Sequence, residues 1–93
     1  MRRVELMAPA ERDLADLPPD VRQRILRRLI ALRDSDMLAS GVPLSGGLRG
    51  LQKLRFGSHR LIYQELDQGN LIMVWGIGHR SRIYETMRRR VGQ

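Results

Sequence analysis

The chain has 93 residues, no cysteine, and 17 Lys and Arg against 10 Asp and Glu, a formal net charge of +7. A chain of this length supports one domain with a modest core, expected over 1–93, and without thiols it can hold neither disulfides nor thiolate metal sites. No apolar run reaches the ~18 residues of a membrane span, and the start Met1-Arg2-Arg3-Val4-Glu5 is too short and charged for a secretory signal, so a cytoplasmic setting with no membrane partner is expected.

Arg3 to Met7 alternates as a short first strand. Pro9 suits the first turn of a helix, where its missing N–H costs nothing, and Ala10, Leu14 and Leu17 follow at helical spacing. Pro18 and Pro19 end that helix and open a second. Asp20 lies in the second helix's first turn, where negative charge suits the macrodipole. Val21, Ile25, Leu29 and Leu32 form its apolar stripe, widened by Leu26 and Ile30, while Arg22, Arg24, Arg27, Arg28 and Arg33 read as a solvated face. Asp34-Ser35-Asp36 is expected to close this helical hairpin. Residues 40–50 hold Gly41, Pro43, Gly46, Gly47 and Gly50 and read as a loop. It is not a phosphate-cradling P-loop, because the Lys-Ser/Thr ending and the following helix are absent.

The stretch from Lys53 to Tyr63 reads as two strands joined by the two-residue turn Gly57-Ser58. That turn sets Phe56 opposite His59 and Arg55 opposite Arg60. Lys53, Arg55, Arg60 and Ile62 then share one face, and Leu54, Phe56, His59, Leu61 and Tyr63 the other. Like charges directly opposite one another destabilise a sheet. The basic face is therefore either a solvated surface or a place where something anionic lies. After an Asp67-Gln68-Gly69-Asn70 turn, Leu71 to Gly78 is a nearly continuous apolar strand. Its alternation predicts Leu71, Met73, Trp75 and Ile77 toward the helices. Ile72, Val74, Gly76, Gly78 and Arg80 then face the other way, so the two glycines leave an open floor for a ligand. A bulge at the strand end is the alternative reading of the same glycines. Arg82, Ile83, Tyr84, Met87 and Arg88-Arg89-Arg90 predict a short basic C-terminal helix. The class is α+β: an N-terminal strand, a helical hairpin, an antiparallel three-strand meander (about four strands in all) and that final helix.

Charge is unevenly placed along this order. Residues 1–44 carry eight basic and seven acidic side chains, residues 45–93 nine and three. All the basic residues except Lys53 are Arg, whose planar fork of donors suits phosphate oxygens. Nucleic acid is the expected polyanion. Two histidines and no paired carboxylates argue against a metalloenzyme.

These residues resemble the RelE/ParE superfamily of bacterial toxins from type II toxin–antitoxin systems. The resemblance runs from the helical hairpin through Pro43-Leu44 and the Gly-rich loop to Lys53-Leu54-Arg55. It is sharpest at His59-Arg60-Leu61-Ile62-Tyr63 and Gly78-His79-Arg80-Ser81-Arg82-Ile83-Tyr84. It implies a RelE/ParE-like fold and, for the RelE-like branch, an mRNA interferase: a ribosome-dependent endoribonuclease using no metal or other cofactor. In that chemistry a 2′-hydroxyl attacks the adjacent phosphate and leaves a 2′,3′-cyclic phosphate. Lys53, Arg60, Arg80 and Tyr84 match the catalytic pattern. Arg49, Arg55, Arg82 and His79 are the accompanying candidates for RNA binding. Leu51 departs from it, because some RelE proteins carry a second lysine there. The implied partners are an acidic cognate antitoxin in a hetero-oligomer, the ribosome and mRNA, with DNA reached only through the antitoxin complex. The ParE-like branch, which inhibits DNA gyrase without nuclease activity, is the alternative.

Overall fold

A computed structural model describes residues 2–34 and 41–92 of the chain. The expected closure at Asp34-Ser35-Asp36 falls mostly on residues outside that range. Eight elements follow in order: β1 (Arg3–Leu6), α1 (Ala8–Ala15), α2 (Pro19–Asp34), β2 (Val42–Pro43), β3 (Gln52–Phe56), β4 (His59–Leu66), β5 (Leu71–His79) and α3 (Ile83–Val91). The sheet order is β1-β5-β4-β3-β2. β1 runs parallel to β5, and the other neighbours are antiparallel.

The sheet has five strands rather than four because Val42 and Pro43, inside the expected loop, pair with Lys53 and Gln52. A strand this short on a sheet edge tolerates the proline, which has no N–H to offer a further neighbour. A 3-10 turn at Gly46–Leu48 follows it. The hairpin register is the expected one: Phe56 faces His59 and Arg55 faces Arg60. Gly57 supplies the left-handed backbone of that turn, with φ of 58°.

Two apolar clusters lie on opposite sides of the sheet. Ile25, Leu29 and Leu32 of α2 and Ala10 of α1 pack on Leu54, Phe56, Leu61, Tyr63, Ile72, Val74 and Ile77. On the other side Ile83 and Met87 of α3 join Leu48, Leu51 and Ile62. Ile83 and Met87 are one helical turn apart, so a single stripe of α3 meets the sheet.

The β5 alternation differs from expectation in its first half. Pairing with β4 runs evenly from His59↔His79 to Ile62↔Gly76, then shifts so that Tyr63 faces Val74. Trp75 is the extra residue of this bulge. The shift turns Ile72 and Val74 toward α1 and α2, and Trp75 packs on the α3 side. Only from Gly76 onward does the predicted parity hold, with Ile77 on the α1–α2 side.

Nor is the glycine floor open. A Cβ on Gly76 would lie 2.7 Å from Met87 Sδ and 2.8 Å from Arg90 Nη1, and one on Gly78 would lie 3.3 Å from Ile83 Cδ1. The glycines let α3 seat directly on β5. Burying Ile83 and Met87 outweighs leaving that strip free, at roughly 1.5–3 kcal/mol for each large apolar side chain.

Candidate functional site

The basic side of β3 and β4 carries a groove of about 400 Å³ lined by Val42, Lys53, Arg55 and Arg60. Arg60 anchors it. Though charged, the residue is only 5% exposed. Its Nη1 donates to the carbonyls of Gly57 and His59, both at 2.8 Å. The hairpin turn thus grips one arm of the guanidinium and fixes its plane. Its Nε and Nη2 have no hydrogen-bond partner among the described residues, and neither is sealed from solvent. A guanidinium held this way offers a preorganised fork to an anion.

Lys53 is placed one step along β3, opposite Ile62. Its Nζ lies over the Tyr84 ring, 5.6 Å from the centroid. Tyr84 stands in the first turn of α3 and packs partly against the Leu48–Met87 cluster. Seating α3 on the two glycines therefore brings Tyr84 to the basic face. Cation–π attraction of this kind contributes about 0.5–1 kcal/mol at exposed sites.

The other candidates surround this centre less closely. Arg80 is exposed, just beyond β5, and its backbone N–H donates to Ser58 O at 2.8 Å across the hairpin turn. Arg82 is the exposed N-cap of α3. Arg49 is exposed at the end of the 3-10 turn, and Arg55 is exposed on β3 opposite Arg60. His79 is exposed at the end of β5, where Ser81 N–H donates to its Nδ1 at 3.1 Å and Ser81 Oγ lies 2.8 Å from the same nitrogen. Nδ1 accepting from a backbone donor puts the proton of the neutral ring on Nε2. The His59 ring meets His79 edge-on, with centroids 5.7 Å apart. Burial, His79 and Arg24 all hold the His59 pKa below the ordinary histidine value, against a smaller opposing pull from Asp20. So the structure brings Lys53, Arg55, Arg60 and Tyr84 together, and keeps Arg49, Arg80, Arg82 and His79 at exposed positions at or just beyond the ends of elements.

Among the described residues no carboxylate forms an ion pair with the groove; the pairs are Arg33–Asp34, Arg89–Glu85 and Arg90–Asp13. Nor could any group of three His, Asp or Glu among them hold a metal ion. Leu51, where the resemblance allowed a second lysine, is buried between Leu48 and the α3 residues. A lysine there would have to leave that cluster or bury its charge.

Asp13 and Arg90 play a part that spacing along the chain did not reveal. Arg90 Nη1 and Nη2 donate to Asp13 Oδ2 and Oδ1 at 2.6 and 2.8 Å, and Nη1 also reaches Trp75 O at 3.2 Å. Ile77 N–H donates to the same Asp13 Oδ2 at 3.0 Å. The pair satisfies backbone groups around the β5 bulge and ties α3 to α1. The short Asp13 contact also raises the Arg90 pKa.

A mixed sheet with a helical pair on one face and a terminal helix on the other is a RelE-like toxin fold. Residues 4–84 match the sequence profile of the ParE toxin of type II toxin–antitoxin systems, and the chain belongs to that family. A search of curated protein sequences finds no match. Among solved structures, the RelBE2 toxin–antitoxin complex from Mycobacterium tuberculosis is similar at 28% identity and a TM-score of 0.76, over 86% of this chain and 92% of that one. The isolated E. coli RelE toxin aligns at 21% identity and a TM-score of 0.69, over 98% of this chain and 99% of its own. The archaeal RelE–RelB complex from Pyrococcus horikoshii OT3 aligns at 22% identity and a TM-score of 0.68, over 87% of this chain and 97% of that one. The last two establish likeness of fold. No described helix is long and apolar enough to cross a membrane.

Proposed function

We propose that this toxin is a cytoplasmic endoribonuclease that cuts mRNA on the ribosome. The 2′-oxygen forms a bond to the adjacent phosphorus, the bond to the 5′-oxygen breaks, and a 2′,3′-cyclic phosphate and a 5′-hydroxyl result. The observation that carries the reading is Arg60, clamped by the Gly57 and His59 carbonyls with Lys53 and Arg55 in the same groove. Such a cluster stabilises the charge that builds on the phosphorane. Tyr84 stacks on a base beside the scissile phosphate. Arg80 serves the leaving 5′-oxygen, which takes up a proton, and Arg49, Arg82 and His79 contact the flanking RNA. The proton lost by the 2′-hydroxyl and the one gained by the 5′-oxygen balance, so the transfer leaves the net charge unchanged.

An acidic antitoxin neutralises the chain in a hetero-oligomer, and DNA is met only through that complex. The reading is supported by the solved relatives, of which several are toxin–antitoxin complexes. Primer extension on translated mRNA after induction tests the nuclease. Cuts within codons are expected, and Arg60→Ala should lower their yield about 100-fold or more, the scale of losing an oxyanion donor. An Arg60→Ala protein that cuts as well as the parent defeats the assignment.

Inhibition of DNA gyrase is the second reading. It is favoured by the ParE profile and by the leucine at position 51, which leaves Lys53 the only lysine of the chain. DNA-damage signalling with intact mRNA after induction would select it.

A further inference from the structure

A second basic groove lies between α2 and the β3–β4 hairpin, on the helical side of the sheet. It measures about 460 Å³ and is lined by Arg24, Arg27, Arg28, Arg55, Phe56 and Gly57, with Ala31 at its edge. Arg24, Arg27 and Arg28 stand three and four residues apart on one face of α2, spacings at which like charges repel. None of the four arginines makes an ion pair among the described residues. Arg28 is the most constrained. Its guanidinium carbon lies 5.9 Å from the Phe56 ring centroid, and its Nε is buried with no hydrogen-bond partner. Arg24 reaches the hairpin turn, its Nη2 lying 3.7 Å from where a Cβ on Gly57 would stand. Such an array is unfavourable when empty and is relieved by an anion.

The two grooves have one residue in common. Arg55 lines this one and also the groove of Lys53 and Arg60. We infer that the α2 groove is a second phosphate-binding site, which takes the continuation of an RNA strand held at Lys53 and Arg60 and passed around the hairpin rim by Arg55. This rests on the reading of the Lys53–Arg60 groove as an RNA site. Arg24 and Arg27 grip backbone phosphates, and Arg28, stacked on Phe56, fixes the floor. The site reads charge spacing and carries no base specificity.

Fluorescence anisotropy with a labelled single-stranded RNA dodecamer and a trinucleotide tests this on the intact chain. R24E/R27E should weaken the dodecamer about tenfold near 0.1 M salt, and reduce the slope of log affinity against log salt by about 1.4, the share of two single-strand phosphates. Trinucleotide binding should be unchanged by R24E/R27E and lost in Arg60→Ala. R3E/R12E, the same change of net charge on β1 and α1 at positions that line neither groove, should cost the dodecamer much less. Equal loss in both double variants, or none in R24E/R27E, overturns the second site. So does loss of a polyglutamate peptide by R24E/R27E with RNA binding intact, which would make the groove a protein-docking surface. If Arg60→Ala leaves the trinucleotide bound, or the parent binds neither RNA, the first reading fails as well. The two double variants are altered at exposed positions and Arg60→Ala at a buried one, so circular dichroism and thermal melts are recorded for all three, and a folded Arg60→Ala is required for its loss of trinucleotide to count.

Discussion

Asp13 and Arg90, 77 residues apart in sequence, join α1 to α3 through two hydrogen bonds at the point where β5 bulges. Both side chains are about one-fifth exposed, at 19% and 22%. Removing one partner leaves a mostly buried charge and, for Asp13, also an unsatisfied Ile77 N–H. Asp13→Ala should therefore destabilise the fold by about 1–3 kcal/mol in urea titrations. The D13A/R90A double variant should lose less than the two single losses combined. Strict additivity would mean that the pair does not hold α3.

Gly76 and Gly78 give a ranked test of the α3 seat. The Cβ of alanine at position 76 would press on Met87 Sδ and Arg90 Nη1 below 3.0 Å, whereas at 78 it would meet one methyl at 3.3 Å. Gly76→Ala should cost about 1–3 kcal/mol, the range for overpacking, and Gly78→Ala less. Thermal melts of the two variants check the order. An equal or reversed order would show that α3 is not seated on β5 as described.

Tyr84 should be most sensitive to loss of its ring. Tyr84→Phe keeps the aromatic face beneath Lys53 Nζ and should retain most of the RNA cleavage. Tyr84→Ala should lower cleavage about tenfold or more, from stacking of ~1–3 kcal/mol per base. Comparable activity in both variants would place Tyr84 outside the reaction.

His59 provides the pH dependence. Its folded pKa is depressed, first by burial and then by His79 and Arg24. The unfolded chain therefore binds its proton more readily. Above the unfolded value of about 6.5 both states are neutral and the stability is whole. It is lost as pH falls from there through the folded pKa. His59→Gln should flatten the fall in denaturation midpoint as pH drops below about 6.5, relative to the parent. Parallel curves would show that another group governs the acid limb.

Local features were legible from the residues alone. Prolines and apolar spacing bounded α1 and α2, and a two-residue turn beginning with glycine set Arg55 against Arg60. Alternation from that turn sorted Lys53 and Arg60 from Leu54 and Tyr63, because side-chain direction in a strand follows from parity alone. Parity fails where one residue is inserted, and a bulge has no marker that distinguishes it from an unbroken strand. The first half of β5 was therefore read on the wrong face until its pairing with β4 was known. It took the packed chain to show that Gly76 and Gly78 seat a helix, that Asp13 meets Arg90, and that Tyr84 comes to lie beside Lys53. That packing also made a groove of Arg24, Arg27 and Arg28, which as a helical pattern match any solvated face. Contacts between distant segments depend on how whole faces pack, and no local spacing encodes them.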